Sequence, residues 1–165
     1  MNNYLKNDLV IRKRCVLCKS KNLRQVLNFG KTPLANSYIK KLSVKEKHYP
    51  LVCILCLDCK HLQLQHLIKP RILFENYMYV SGTSPVFVRH FESFFKKIKQ
   101  TLKLDKSNDK ILDIACNDGS FLNFFKKDHF KHVVGIEPAK NLRHFNISKK
   151  IDVNTIFFNH KNSFF

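Results

Sequence analysis

The alternation of hydrophobic and polar positions is clearest in the second half of the chain, where it predicts a strand, a turn, a helix and a second strand. Residues 111–114 form a short, partly β-branched apolar run that is typical of a strand in a parallel sheet. The Asn-Asp-Gly sequence at residues 117–119 has the chemistry of a tight turn, and apolar residues then recur on one helical face over residues 121–125. Residues 132–137 form a second apolar run. This order predicts a βαβ unit with two parallel strands.

The same pattern predicts further elements on both sides of this unit. Ser84 and Pro85 are typical of the N-cap and the first position of a helix, which apolar spacing extends to about Leu104. Residues 1–14 show no such pattern, and we expect a flexible basic segment there. Strands are expected at residues 26–30, 49–55, 61–65 and 152–158, and another helix at residues 140–150.

The turn after residues 111–114 and the acid at the end of the second apolar run indicate a site for a nucleotide-like ligand. Gly119 permits a positive φ and a close approach of the backbone. Glu137 lies about 20 residues further on, where such folds place the acid that binds ribose hydroxyls. A full glycine-rich fingerprint is absent, because Ala115 and Asn117 occupy positions where small residues or glycines are commonest. An ordinary structural turn is therefore the alternative interpretation.

Five cysteines in the first 60 residues predict a metal site. Cys15 and Cys18 form one C-x-x-C pair, while Cys53, Cys56 and Cys59 offer two choices for the second pair. Two such turns brought together make a tetrahedral sulfur site of the kind that binds structural zinc. Buried, inert cysteines are the alternative. We choose Cys56 and Cys59, because a predicted strand follows that pair directly, and we expect Cys53 to be a buried apolar residue.

The net charge of +18, from 30 Lys and Arg against 12 Asp and Glu, adds an alternative function. A small basic zinc-binding protein that contacts nucleic acid would carry such a charge. The lysine pairs are, however, spread over segments that resemble ordinary solvated helix faces, so we do not expect nucleic acid binding. No secretory signal or membrane-length apolar run is evident. We expect a cytoplasmic, reducing setting, in which cysteines are metal ligands or core residues rather than disulfides.

Six blocks of the sequence, taken in order, resemble one enzyme family. The blocks are CVLCKS from residue 15, VLNFGKTPLANSYI from residue 26, HYPLVCILCLDCKHLQL from residue 48, LFENYMYVSGTS from residue 73, ILDIACNDGSFL from residue 111 and VVGIEPAKNL from residue 133. They resemble the N-terminal half of the zinc-containing, S-adenosylmethionine (SAM) dependent C-methyltransferases that act on nucleotide-linked deoxysugars. The resemblance covers residues 15–158, and the order of the blocks is more specific than any one of them.

The resemblance implies which residues bind the two cofactors. The four zinc thiolates of the family fall on Cys15, Cys18, Cys56 and Cys59. The SAM-binding loop of the family falls on Asp113, Ala115, Asn117, Asp118 and Gly119, and its ribose-binding acid falls on Glu137. Tyr77, Tyr79 and Ser81 match the aromatic stretch that approaches the cofactor and the substrate. This sequence departs from the family at Ala115, where glycine is usual and a methyl group would lie near the adenosyl moiety. It also departs at Lys60 and His61, where Gly-Leu is usual.

The resemblance also implies a domain organisation. We expect an α+β zinc-binding domain at residues 1–80, a connecting helix and linker at residues 81–107, and about three strands of a Rossmann-like class I methyltransferase domain at residues 108–165. We expect residues 108–165 to be loosely ordered, because a missing fourth strand would leave residues 111–115 as an exposed apolar edge.

The remaining strands, the catalytic base and the C-terminal domain of the family have no counterpart in this sequence. We therefore expect a truncated chain with no catalytic residue, inactive alone. The nucleotide-sugar substrate of full-length relatives would require the missing half, which a complementing chain could supply.

Overall fold

The computed structural model describes residues 8–39, 41 and 43–162. Its backbone contacts divide the chain into two compact units, residues 1–73 and residues 74–165. The division falls before residue 80, where we expected the zinc-binding domain to end. The helix that we expected to act as a connection lies inside the second unit.

The first unit contains two small antiparallel sheets. Its strands are β1 (Leu9–Ile11), β2 (Leu23–Thr32), β3 (Tyr49–Cys56), β4 (Leu62–Leu64) and β5 (His66–Ile68), and the short helix α1 (Pro70–Phe74) follows them. One sheet pairs β1 with β5, and the other has the strand order β2-β3-β4. The three strands predicted in this region correspond to β2, β3 and β4, whereas β1 and β5 were not predicted.

Strand β1 corrects part of the expectation that residues 1–14 form a flexible segment. Leu9 lies opposite Ile68 in the ladder between β1 and β5, and its side chain is buried together with Tyr49. The hydroxyl of Tyr49 donates a hydrogen bond of 2.8 Å to Asp8 Oδ2. The partners of this segment are distant in sequence, so the local pattern carries no sign of them. Residues 1–7 lie outside the described residues.

The central strand β3 presents two different faces. Ile54 and Cys56 are buried on one face. Cys53 lies on the other face, half-buried, where it is paired in register with the exposed Leu27 and Leu64. The expectation that Cys53 is buried was therefore wrong, because the face that carries it is the open one.

The second unit has the parallel topology that the sequence predicts. It contains α2 (Pro85–Leu102), β6 (Lys110–Ile114), α3 (Leu122–Lys127), β7 (His132–Ile136), α4 (Arg143–Ser148) and β8 (Asp152–Asn154). The three strands are parallel, in the order β6-β7-β8. The helix predicted at residues 140–150 is a 3₁₀ turn at Lys140–Leu142 followed by α4, and β8 is shorter than predicted. Within the described ranges, no helix combines the length and the apolar character needed to cross a membrane.

Helix α2 begins as predicted and packs against an aromatic core. Ser84 is its N-cap, with Oγ accepting a hydrogen bond from the backbone N–H of Phe87. Phe95 contacts Phe125 edge to face, with ring centroids 4.8 Å apart, and Phe125 contacts Phe130 in the same manner. Aromatic rings bury large apolar areas, and this core joins α2 to the sheet domain. The expectation that residues 108–165 are loosely ordered stays a prediction.

Strand β6 has an exposed side. Among the strands of the described part, β6 pairs with β7 alone, and Leu112 and Ile114 are 42% and 48% exposed. These exposures agree with the expected apolar edge over residues 111–115.

Candidate metal centre and cofactor loop

The structure brings together the four cysteines that the sequence predicts as metal ligands. The Sγ atoms of Cys15, Cys18, Cys56 and Cys59 all lie within 4.8 Å of one another. Cys15 Sγ lies 3.5 Å from Cys59 Sγ, and Cys18 Sγ lies 3.5 Å from Cys56 Sγ. A regular tetrahedron with zinc–sulfur bonds of about 2.3 Å has sulfur–sulfur edges of about 3.8 Å. The donor set and its spacing therefore fit zinc.

The two C-x-x-C turns have the same backbone conformation. Cys15 donates from its N–H to Ser20 and accepts from Lys19 at its carbonyl oxygen. Cys56 makes the equivalent bonds with His61 and Lys60. Both lysines have a positive φ, 64° at residue 19 and 62° at residue 60. Two matching turns on one sheet aim two pairs of sulfur atoms at a common point.

Backbone N–H groups lower the pKa of two of the thiols, those of Cys15 and Cys56. Burial acts to raise the pKa of Cys15, but the N–H groups of Cys18 and Leu17, with the nearby thiols, outweigh it and lower the pKa to about 7. The N–H of Cys59 is the largest influence on Cys56 and lowers the pKa of that thiol. Since the thiolate is the metal-binding form, these N–H groups favour metal binding.

The thiol of Cys18 behaves in the opposite way. The N–H of Ser20 lowers the pKa of Cys18, but the Cys59 thiol, burial and the remaining thiols outweigh it and raise the pKa to about 12. The thiol of Cys18 therefore favours its protonated form in the absence of a cation. Metal binding to such a cluster releases protons, so the affinity rises with pH.

Gln63 holds the first turn against the sheet, and the sequence did not predict this role. It is buried, and its Oε1 accepts a 3.0 Å hydrogen bond from the N–H of Val16. Leu62 and Leu64 on either side are exposed, which reverses the usual orientation of an alternating strand. A polar residue between two leucines directly after a C-x-x-C turn is the signal that could have identified it.

The predicted cofactor loop follows β6 in a strained, left-handed path. Ala115, Asn117 and Gly119 have φ values of 64°, 53° and 72°. The N–H groups of Ala115 and Cys116 both donate to the carbonyl of Ile136, at 2.8 and 3.1 Å. These bonds join the loop to the end of β7, beside which Glu137 stands.

Both oxygen atoms of Glu137 are engaged by backbone N–H groups. Oε2 accepts from Asn117 at 2.8 Å, and Oε1 accepts from Ala139 at 2.8 Å. The residue is 7% exposed. Each carboxylate oxygen has two lone pairs, so Glu137 retains capacity for a ligand hydroxyl while it holds the loop.

Asp118 and Gly119 support the loop from behind. Asp118 is buried, accepts a 2.7 Å bond from Ser120 Oγ and forms a 3.0 Å ion pair with Lys149. A Cβ atom on Gly119 would collide with Asn146 Oδ1. Their contacts are with the protein, and neither residue lines the cavity described next.

Six of the nine predicted cofactor residues line one cavity of about 530 Å³. They are Tyr77, Tyr79, Ser81, Ala115, Asn117 and Glu137. Phe157 and Phe158, which the sequence analysis did not single out, complete its aromatic wall together with Phe74. Their position just after β8 could have suggested them, because parallel sheets bind ligands beyond the carboxyl ends of their strands.

Asp113 lines a smaller neighbouring cavity of about 270 Å³. Ser81, Ala115 and Asn117 line both cavities. Burial, with a smaller contribution from Glu137, raises the pKa of Asp113 to about 6. A buried carboxylate beside a second acid favours a cationic ligand.

Two of the three residues at which the sequence departs from the resembled family are left-handed. Ala115 has a φ of 64° and Lys60 a φ of 62°, and glycine is the residue that adopts this conformation without strain. The methyl group of Ala115 therefore affects the backbone directly, whatever it does to a ligand.

We expect Ala115→Gly to raise the free energy of unfolding of the second unit by about 1 kcal/mol, because it relieves a left-handed alanine. Urea unfolding measures the change. Ala139→Gly is the matched control, since Ala139 has a φ of −73°. That control should lower the stability, and the same sign for both variants would contradict the explanation.

Comparison with known proteins finds similarity to a sequence family and to a curated protein. Residues 15–74 match a sequence family described as "Putative zinc binding domain". The chain is 28% identical over 130 residues to the C-methyltransferase NovU of Streptomyces niveus, an alignment that covers 78% of this chain and 30% of that protein. The chain thus spans about 30% of the length of the curated relative that it matches.

Proposed function

Since residues 15–74 match a zinc-binding family and the chain is 28% identical over 130 residues to a C-methyltransferase, we propose that this chain is the N-terminal part of such an enzyme and that its second unit is the SAM-binding part. In this proposal residues 108–165 form the first strands of a Rossmann-like methyltransferase domain. The zinc ion stabilises the first unit and takes no part in methyl transfer. The nucleotide-linked ketosugar is the proposed substrate of the complete enzyme.

The observation that carries the proposal is the cavity beside Glu137. It collects residues from the segment before α2, from the loop after β6 and from the end of β7. Loops at the carboxyl ends of neighbouring parallel strands are the usual place for a nucleotide-like ligand in such sheets. The aromatic and acidic lining suits an adenosyl group with ribose hydroxyls and a positive charge.

We propose roles for individual residues in holding SAM. Glu137 accepts hydrogen bonds from the ribose hydroxyls, Asp113 compensates the positive charge of the ligand, and Tyr77 and Tyr79 form an aromatic wall. SAM supplies a methyl group activated by its sulfonium. The contribution of this chain is to bind and orient the cofactor and to exclude water from it.

Proton abstraction from the sugar is proposed to depend on residues outside this chain. Relatives of this type need a base that removes the proton next to the ketone, and we assign no catalytic residue among the described positions. We propose that the zinc-loaded chain alone binds SAM without transferring its methyl group. In this proposal a complementing chain supplies the remaining residues.

The proposal predicts a pH dependence of SAM binding. Burial raises the pKa of Asp113 to about 6 in the free chain, and a bound cation should lower it again because it stabilises the carboxylate. The affinity for SAM should therefore rise on the order of tenfold between about pH 5 and pH 7, as measured by calorimetry of the zinc-loaded chain. Asp113→Asn should remove most of this dependence. An unchanged pH profile in Asp113→Asn would contradict the role of Asp113.

A further inference from the structure

Residues 75–81 form a strap that is attached to two loops by asparagine side chains. The strap precedes α2 and contains Tyr77, Tyr79 and Ser81, three of the residues that line the cavity. Its attachments come from the loops that follow β6 and β7. None of the strap residues belongs to a β-strand, so side chains replace a sheet partner in satisfying its backbone groups.

Asn141 bonds both backbone groups of one strap residue. Asn141 Nδ2 donates to the carbonyl of Tyr77 at 2.8 Å, and Asn141 Oδ1 accepts from the N–H of Tyr77 at 2.9 Å. A side-chain amide that pairs with the N–H and the carbonyl of the same residue acts like a neighbouring strand. This pairing fixes the backbone from which the Tyr77 ring extends to the cavity.

Asn117 makes the second attachment. Its Oδ1 accepts from the N–H of Ser81 at 2.9 Å, and its Nδ2 donates to the carbonyl of Tyr79 at 3.0 Å. Its own N–H donates to Glu137, and its carbonyl accepts from Asn146. All of its polar groups therefore have protein partners, so Asn117 links the strap to the loop and to Glu137.

A third attachment is weaker. Lys140 donates from its N–H to the carbonyl of Glu75 at 3.0 Å, and the two side chains form an ion pair of 2.8 Å. The lysine side chain is 66% exposed. Exposed ion pairs contribute little to stability, which leaves the paired amide of Asn141 as the principal link at this end of the strap.

We propose that Asn141 is a positioning residue for the cofactor cavity, which holds the strap so that the Tyr77 ring forms one wall. This inference rests on the proposed function, since it takes SAM as the ligand of the cavity. The side chain of Asn141 acts through Tyr77 and is not itself a lining residue.

The test compares the zinc-loaded full-length chain with Asn141→Ala by amide hydrogen exchange and by calorimetric titration with SAM. Loss of two hydrogen bonds should speed exchange of the Tyr77 amide about tenfold and weaken SAM binding by a similar factor. Amides of β7 should keep their exchange rates, because a local release does not unfold the core. Asn123→Ala on α3 is the matched control and should leave both quantities unchanged.

Tyr77→Ala distinguishes the effect of the Tyr77 ring from the effect of the hydrogen bonds between Asn141 and the backbone of residue 77. It should weaken SAM binding as much as Asn141→Ala does, while the amide of residue 77 stays protected. The double variant should be no weaker than either single variant, because both remove the same wall. If Asn141→Ala does not fold, Tyr77→Ala alone still tests the inference, because unchanged SAM binding in Tyr77→Ala would show that the Tyr77 ring is not a wall of the cavity and would overturn it.

The outcomes separate this inference from the proposed function. If the original chain binds SAM and Asn141→Ala binds it equally tightly with faster exchange at residue 77, the positioning role is overturned and the proposed function stands. Unchanged exchange at residue 77 overturns the attachment itself. No SAM binding by the original chain overturns the proposed function and this inference together.

Discussion

We expect Cys56→Ser to abolish zinc binding and to unfold the first unit. Structural zinc contributes about 10 to 16 kcal/mol to small zinc-dependent folds, while whole domains are stable by only about 5 to 15 kcal/mol. Cys56 is 0% exposed and is the last residue of β3. Replacing it therefore changes both the ligand set and the end of the central strand. Metal analysis should find less than one equivalent of zinc, and far-UV circular dichroism should show loss of strand structure.

Cys53→Ser is the matched control for this experiment. Cys53 lies on the same strand, half-buried and outside the group of four sulfur atoms. We expect this variant to retain one zinc ion per chain. The opposite result, with zinc lost from Cys53→Ser and retained in Cys56→Ser, would favour a different ligand set and contradict the account.

Glu137→Ala has the second largest expected effect. It deprives the N–H groups of Asn117 and Ala139 of their acceptor, and each unpaired buried donor costs about 1 to 3 kcal/mol. The second unit should therefore lose about 3 kcal/mol of unfolding free energy, and the proposed SAM binding should disappear with it. Urea unfolding measures the first effect and calorimetry the second.

Two comparisons make the Glu137 result specific. Glu92→Ala removes an acid from α2 whose ion pair with Lys96 is exposed, and we expect it to change the stability by less than about 0.5 kcal/mol. The zinc content should stay at one equivalent in both variants. A Glu137→Ala chain as stable as the original would show that the two N–H bonds do not hold the loop.

The metal site was the part of the molecule most open to prediction from the sequence. Thiolate ligands of zinc occur in pairs at fixed spacing, so Cys15 and Cys18 identified half the site. The strand that follows Cys59 selected the second pair, and the structure brings the four sulfur atoms together. Their role as zinc ligands stays a prediction at the level of single residues.

The first two strands of the parallel sheet were also predicted, because β6 and β7 lie in apolar runs. The polar side-chain contacts that hold the loops in place were not predicted. Gln63 bonds a backbone group 47 residues away, and Asn141 bonds one 64 residues away. A contact between a side chain and a distant backbone group produces no periodic pattern in the sequence, so periodicity cannot predict it. The left-handed path at Ala115 escaped prediction for a related reason, since alanine normally avoids it.

The central claim is that the cavity beside Glu137 binds SAM in a chain whose zinc module is intact. An NMR titration of the zinc-loaded, isotope-labelled chain with SAM tests it most directly. The account predicts saturable shifts of the amide signals of Ser81, Asn117 and Ala139, while those of Cys18 and Cys59 stay in place. Full zinc occupancy with no shift at saturating SAM, or with shifts confined to other regions, would contradict it.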